Sequence, residues 1–161
     1  MPNHVYQKIR VRDQNNKNNL RELKKKILNK NNELDFNLII PQPENIFKGN
    51  LGEEELKMCQ ENNRPNWYHW NQEFWGTKWN AYNTQISKNE DDILEFTFLT
   101  AWSIPKPIVE KLFEFFQGCG IHYLAAGGES NFAIEISQDK DGKQTYNDLK
   151  ECYQVILFAL S

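Results

Sequence analysis

The sequence predicts an α+β domain in which helices cover one face of an antiparallel sheet. Two observations carry this reading. Strand-like runs recur at 5–12, 81–87, 93–102, 121–126 and 132–136, and those at 5–12 and 93–102 show the two-residue alternation of a strand. Stretches with helical spacing at 20–31, 105–116 and about 145–160 separate or follow them. The length of 161 residues suits one domain. Only 39% of residues are hydrophobic, but 13% are aromatic and five are Trp. Large rings therefore supply much of the core, each burying on the order of 150–250 Å².

The elements follow in chain order. Val5, Ile9 and Val11 alternate with Lys8, Arg10 and Arg12 in a first strand. An Asn-rich turn leads to a helix from Leu20 to about Asn31, with Leu20, Leu23, Ile27 and Leu28 as its inner stripe. Asn18 or Asn19 is suited to cap it. Residues 34–40 read as a short extended segment, stopped by Pro41 and Pro43. Residues 44–80 form a long insertion with a short helix from Glu53 to Gln60 and an aromatic cluster after it. A polar turn at 89–92 precedes the strand 93–102, which looks covered on both faces. Pro105 and Pro107 open a helix with Ile108, Val109, Leu112, Phe113 and Phe116 inside, ended by Gly118 and Gly120. A hairpin through Gly127-Gly128 follows. Leu149, Cys152, Tyr153, Ile156, Leu157 and Leu160 mark the inner face of a C-terminal helix. The order β-α-insertion-β-β-α-β-β-α gives two split βαβ units, the ferredoxin-like arrangement.

Composition narrows the function classes. Cys59, Cys119 and Cys152 are odd in number and form no C-x-x-C pair, so three reduced thiols in a cytoplasmic protein are expected. No stretch of roughly 20 apolar residues exists to span a bilayer. His4, His69 and His122 have no metal spacing, and neither a phosphate loop nor a G-x-S-x-G elbow occurs. No cofactor, metal or catalytic role is therefore expected.

Charge is uneven. Residues 1–32 hold nine bases against two acids, and the remainder ten bases against twenty acids. The segment carrying Arg10, Arg12, Arg21, Lys24 and Lys25 is either a surface that steers an acidic partner or an ordinary solvated face. The stretch 67–82 is the most unusual, with Trp67, Tyr68, Trp70, Phe74, Trp75, Trp79 and Tyr82 among His69, Lys78 and several amides. It reads either as a stacking platform for bases, with Lys78 on a phosphate, or as a second small core. Trp75, Lys78, Trp79, His69 and Trp102 are also the candidates to line a nucleotide or small-molecule site.

Four strings occur in a recognisable order: Met1-Pro2-Asn3-His4-Val5, then 35–44, then Trp75-Gly76-Thr77-Lys78-Trp79-Asn80-Ala81-Tyr82, then Thr100-Ala101-Trp102-Ser103 with Pro105 following. Over roughly residues 1–136 the chain resembles the YubB ferredoxin-like domain family, small proteins of phages, prophages and plasmids. W-G-T-K-W and T-A-W-S are the most specific parts. The chain departs at Phe74, where the family usually has Asn, at Ile104-Pro105-Lys106-Pro107, and in the added helix after Gly142. The resemblance implies the ferredoxin-like fold and no activity. With the absence of a catalytic constellation, it leads to the expectation of a non-catalytic mobile-element protein in the bacterial cytoplasm. Such a protein would bind and inhibit a host target, a defence nuclease or its guide RNA in the manner of anti-CRISPR proteins. The alternatives are a nucleotide-binding or nucleotide-sequestering protein, or an enzyme, built on the Trp cluster, and an assembly role for the C-terminal helix.

Overall fold

A computed structural model describes residues 3–14, 18–127 and 131–161. In chain order the elements are β1 (His4–Arg12), α1 (Leu20–Lys25), α2 (Phe36–Ile39), α3 (Glu53–Glu61), α4 (Trp67–Phe74), β2 (Tyr82–Asn89) and β3 (Ile93–Ala101). They continue with α5 (Lys106–Phe115), β4 (Gly120–Gly127), β5 (Phe132–Gln138), β6 (Gln144–Asp148) and α6 (Tyr153–Leu160). The sheet is antiparallel with order β2-β3-β1-β4-β5-β6. Its first four strands are the crossed βαβ pair of a ferredoxin-like fold, and β5 and β6 extend that sheet on the β4 side.

Period-two alternation sorts β1 between the two faces. Val5, Gln7, Ile9 and Val11 are buried and face the helices. His4, Tyr6, Lys8, Arg10 and Arg12 occupy the opposite face. Leu94, Phe96, Phe98, Ile108, Leu112, Phe116 and Tyr123 complete the core on the helix side. A chain of buried polar groups crosses it. The Tyr123 hydroxyl donates to Gln7 Oε1 (2.7 Å), Gln7 Nε2 to Thr100 Oγ1 (2.6 Å), and Thr100 Oγ1 to the Ser103 carbonyl (2.7 Å). Each group is satisfied, so the network costs little to bury and fixes where β3 ends.

Several expectations need correction. The first helix stops at Lys25 rather than Asn31, because the Asn29 side chain accepts the backbone N–H groups of Asn31 and Glu33 and bends the chain. Asn32 then adopts φ 59° and Leu28 bridges Leu34. Asn19 stands at the N-cap but lies in the left-handed region and makes no capping bond, while Asn18 binds Asp13 and the Gly118 carbonyl. Residues 36–39 are one helical turn instead of extended chain, started by Asp35, which accepts the Asn37 N–H at 2.9 Å. The aromatic cluster forms a helix, α4, capped by Asn66. β6 replaces the first part of the expected C-terminal helix. Gly128 of the expected hairpin turn lies outside the described residues.

Candidate nucleic-acid interface

The string 75–82 divides residue by residue into a framework and an exposed part. Trp75 is 2% exposed, and its indole N–H donates to the Ile40 carbonyl at 2.8 Å. Its ring stands edge-on to Phe36 and Trp70. Trp75 is therefore a core residue, and the expectation that it lines a binding site is corrected: it has no free face to offer. Gly76 sits at φ +77°, where an added Cβ would lie 2.9 Å from Pro107 Cδ and 3.1 Å from the Lys106 amide nitrogen. Only glycine meets both the torsion and the space.

Thr77 is buried and donates to the Ala101 carbonyl at 2.7 Å, while Ser103 donates to the Gly76 carbonyl at 2.6 Å. W-G-T-K-W and T-A-W-S are thus bonded directly to each other. Asn71 holds the loop from below, donating to the Lys78 carbonyl and accepting from Gln42. Asn80 accepts the Phe36 and Ala81 N–H groups and donates to Asp35.

Two residues of the string carry no such burden. Trp79 is 38% exposed, and Lys78 places its ammonium 5.0 Å from the Trp79 ring centre and 5.9 Å from that of Tyr68. Both distances allow cation–π attraction. The rings continue as a line. Trp79 meets Tyr82 at 6.5 Å, Tyr82 meets His4 at 5.8 Å with a 2.8 Å hydrogen bond between its hydroxyl and His4 Nδ1, and His4 meets Tyr6 at 6.5 Å. Burial, with a smaller contribution from Tyr6, raises the Tyr82 hydroxyl above its ordinary pKa. Past Tyr6 the same face of β1 turns cationic through Lys8, Arg10 and Arg12.

One buried carboxylate organises those cations. Glu95 pairs with Lys8 at 3.2 Å and with Arg10, and accepts the Ser87 hydroxyl at 2.8 Å. Burial alone would raise its pKa, but these three donors outweigh burial and hold it at about 2. Arg12 is exposed and has no ion-pair partner among the described residues. Further along this face His122 and Asn147 bind Glu135 at 2.6 and 2.8 Å, and the His122 bond, ahead of Asn147, lowers the Glu135 pKa. Helix α6 lies over β1, β4 and β5 on this side, leaving a crevice of about 490 Å³ between Tyr6 and Tyr153, Leu157 and Phe158.

The basic residues do not form the single surface their spacing suggests. Arg10 and Arg12 project from the open face of the sheet, whereas α1 packs on the other side through Leu20. Arg21 binds Asp91 at 2.9 Å, Lys25 binds Glu22 at 2.6 Å, and Lys24 binds Asn89 and the Glu90 carbonyl. Desolvation lowers the Lys24 pKa. His69 serves the start of α4, its ring bonding Asn66 at 3.1 Å. Trp102 ends β3 at φ 79° and is 58% exposed, with its N–H on the Asn3 carbonyl. Trp75, in the core, therefore shares no open surface with Lys78, Trp79, His69 and Trp102. Tyr82, the last ring of the 67–82 stretch, lies on this surface, and His4 and Tyr6 join it although spacing arguments passed them over. The period-two pattern of β1, extended back to His4, is the signal that could have placed His4 and Tyr6 with Lys8.

Fold and surface together define a ferredoxin-like domain bearing an exposed aromatic–cationic strip. Residues 74–154 match the family described as the ferredoxin-like domain in Api92-like protein, and the chain belongs to that family. No curated protein matches the chain. Among solved structures, the crystal structure of a protein api92 from Yersinia pseudotuberculosis is similar over 52% of this chain and 30% of that one, at 13% identity and a TM-score of 0.44. The chain thus spans less than a third of that protein's length.

Proposed function

We propose that the protein is a non-catalytic binding protein that holds single-stranded RNA on the strip running from Lys78 and Trp79 through Tyr82 and His4 to Tyr6, Lys8 and Arg12. The observation that carries the reading is the Lys78–Trp79 corner: an exposed ring and an ammonium, carried on a loop whose backbone is fixed by Thr77, Ser103 and Asn71. Stacking on such a ring accepts any base, and the adjacent cation meets the phosphate. A fixed loop loses little entropy on binding.

The resemblance to the YubB family, with its phage and plasmid carriers, supports a finer reading. In it the RNA belongs to a host ribonucleoprotein, such as a defence nuclease with its guide, and occupation of that RNA inhibits the host system in the bacterial cytoplasm. Affinity purification of the tagged protein from a bacterial lysate carrying such systems tests it. The expected result is RNA recovered with the wild type and lost with Lys78→Ala/Trp79→Ala. Equal recovery of RNA with that variant, or none with the wild type, removes the proposal. A mononucleotide can use the same pair of side chains, and affinity that does not grow with oligonucleotide length would favour that alternative.

A further inference from the structure

The two edges of the sheet differ in kind. β2 pairs with β3 through two register shifts, Asn83 lies at φ 51°, and the Thr84 hydroxyl takes the Leu34 N–H at 3.1 Å. Irregularities of this sort prevent a further strand from adding. β6 instead runs in unbroken register with β5, from Gln144 opposite Gln138 to Asp148 opposite Ile134, with every residue exposed.

In an antiparallel strand the N–H and C=O of one residue point to the same side, and successive residues alternate. The Asp139 N–H donates to the Lys143 carbonyl at 3.0 Å, and the Leu149 N–H to the Ala133 carbonyl at 2.8 Å. The odd-numbered residues of this stretch therefore face β5. Gln144, Tyr146 and Asp148 direct their backbone groups outward, along an edge that no strand among the described residues covers. No proline, lysine or bulge within 144–148 guards it. The side chains of Gln144 and Tyr146 also border a groove of about 920 Å³ between β5, β6 and α5, floored by Val109, Phe113, Ile134 and Ile136. Tyr146 stands 62% exposed beside it.

We infer that this edge pairs with β6 of a second copy of the chain, antiparallel about a two-fold axis through Tyr146, so that one sheet continues through both copies. Facing residues in a sheet lie on one face, so a two-fold axis normal to the sheet must pass between identical residues. Tyr146 is the middle of the three outward-facing residues, and centring there engages all three in each copy. The arrangement is isologous. Tyr146 meets the partner's Tyr146, and Gln144 meets the partner's Asp148 in both directions, an amide donor against a carboxylate with no like charges opposed. The axis keeps both α5 helices on one side, so the two apolar grooves adjoin and the paired tyrosine rings cover the space between them. A foreign strand would satisfy the same backbone groups, but only the chain's own β6 is self-complementary about this point. The strip described above begins at the other end of the sheet, near β2, so it stays exposed in the pair.

Sedimentation velocity of the full chain over a wide concentration range tests the inference. The wild type is expected to approach twice the monomer mass. Tyr146→Pro removes an outward N–H and no bond to β5, and Tyr146→Lys adds a guarding charge. Each is expected to weaken self-association at least ten-fold with an unchanged circular dichroism spectrum. Amide exchange of the wild type supplies a check independent of substitution: protection at Gln144, Tyr146 and Asp148 should rise with concentration. A monomer at all concentrations, a dimer undiminished in both variants, or a dimer without added protection at these amides would overturn it.

Discussion

Two regions stand out as charged or aromatic, and the molecule uses them in opposite ways. In α1 the positive charge is spent internally: Arg21 on Asp91, Lys25 on Glu22, and Lys24 on the turn that joins β2 to β3. In the loop after α4, by contrast, Lys78 has no carboxylate partner among the described residues and lies against two aromatic faces. A count of bases measures charge present, whereas a surface recognises charge left over after internal pairing, which on β1 is Arg12 and the excess of Lys8 and Arg10 over the single carboxylate of Glu95.

The same division runs through the aromatics. Trp75 and Trp79 are four residues apart, yet one is a core ring and the other a surface ring. The sharpest contrast follows from truncating them in turn. Trp75→Ala should cost about 3–5 kcal/mol of stability, the usual loss for a large buried ring, and Trp79→Ala within about 0.5 kcal/mol. Urea denaturation of the two variants measures both. If Trp79→Ala were the more destabilising, the partition into framework and surface would be wrong.

On binding the order reverses. Trp79→Ala should weaken single-stranded RNA by about 1–3 kcal/mol, the range for one stacked base. Lys78→Ala should act in the same direction and reduce the salt dependence. Filter binding at two salt concentrations reads both effects.

Next in size is the carboxylate beneath the cationic part of the strip. Glu95→Gln should cost about 1.5–3 kcal/mol, the range for hydrogen bonds to a charged group. Its pH dependence has a definite sign. The folded pKa of about 2 lies below the ordinary 4.5, so the stabilisation is complete above the unfolded pKa and is lost as pH falls through that window toward 2. Chemical denaturation between pH 2 and 5 should show a steeper fall for the wild type than for Glu95→Gln.

The smallest expected effect belongs to α1. Arg21→Gln, Lys24→Gln and Lys25→Gln should each change stability by at most about 1 kcal/mol, because exposed pairs contribute little, and should leave RNA affinity nearly unchanged.

The main strands and α5 were legible because their apolar residues repeat at the period of the element. β6 was not. Gln144-Thr145-Tyr146-Asn147-Asp148 forms an exposed edge, so no alternation marks it, and its turn residues merge with the apolar run that begins at Leu149. α6 was legible as a helix but not in its environment: none of its residues is buried, and Phe158 is 84% exposed. The strip was half legible. Lys78 and Trp79 stand out by composition, but their separation from Trp75 depends on Gly76, whose left-handed turn reverses the chain between them. Lys25 finds Glu22 three residues away, but the Arg21–Asp91 ion pair and the Lys24–Asn89 hydrogen bond join residues 70 and 65 positions apart, beyond the reach of any local pattern.

Fluorescence anisotropy of a labelled single-stranded RNA tests the central claim most directly, with wild type, Lys78→Ala/Trp79→Ala and Arg21→Gln/Lys24→Gln/Lys25→Gln titrated side by side. Binding by the wild type and the triple variant, with loss in the double variant, is the predicted result. Binding that survives the double substitution and disappears in the triple would contradict it, and would return recognition to the basic helix.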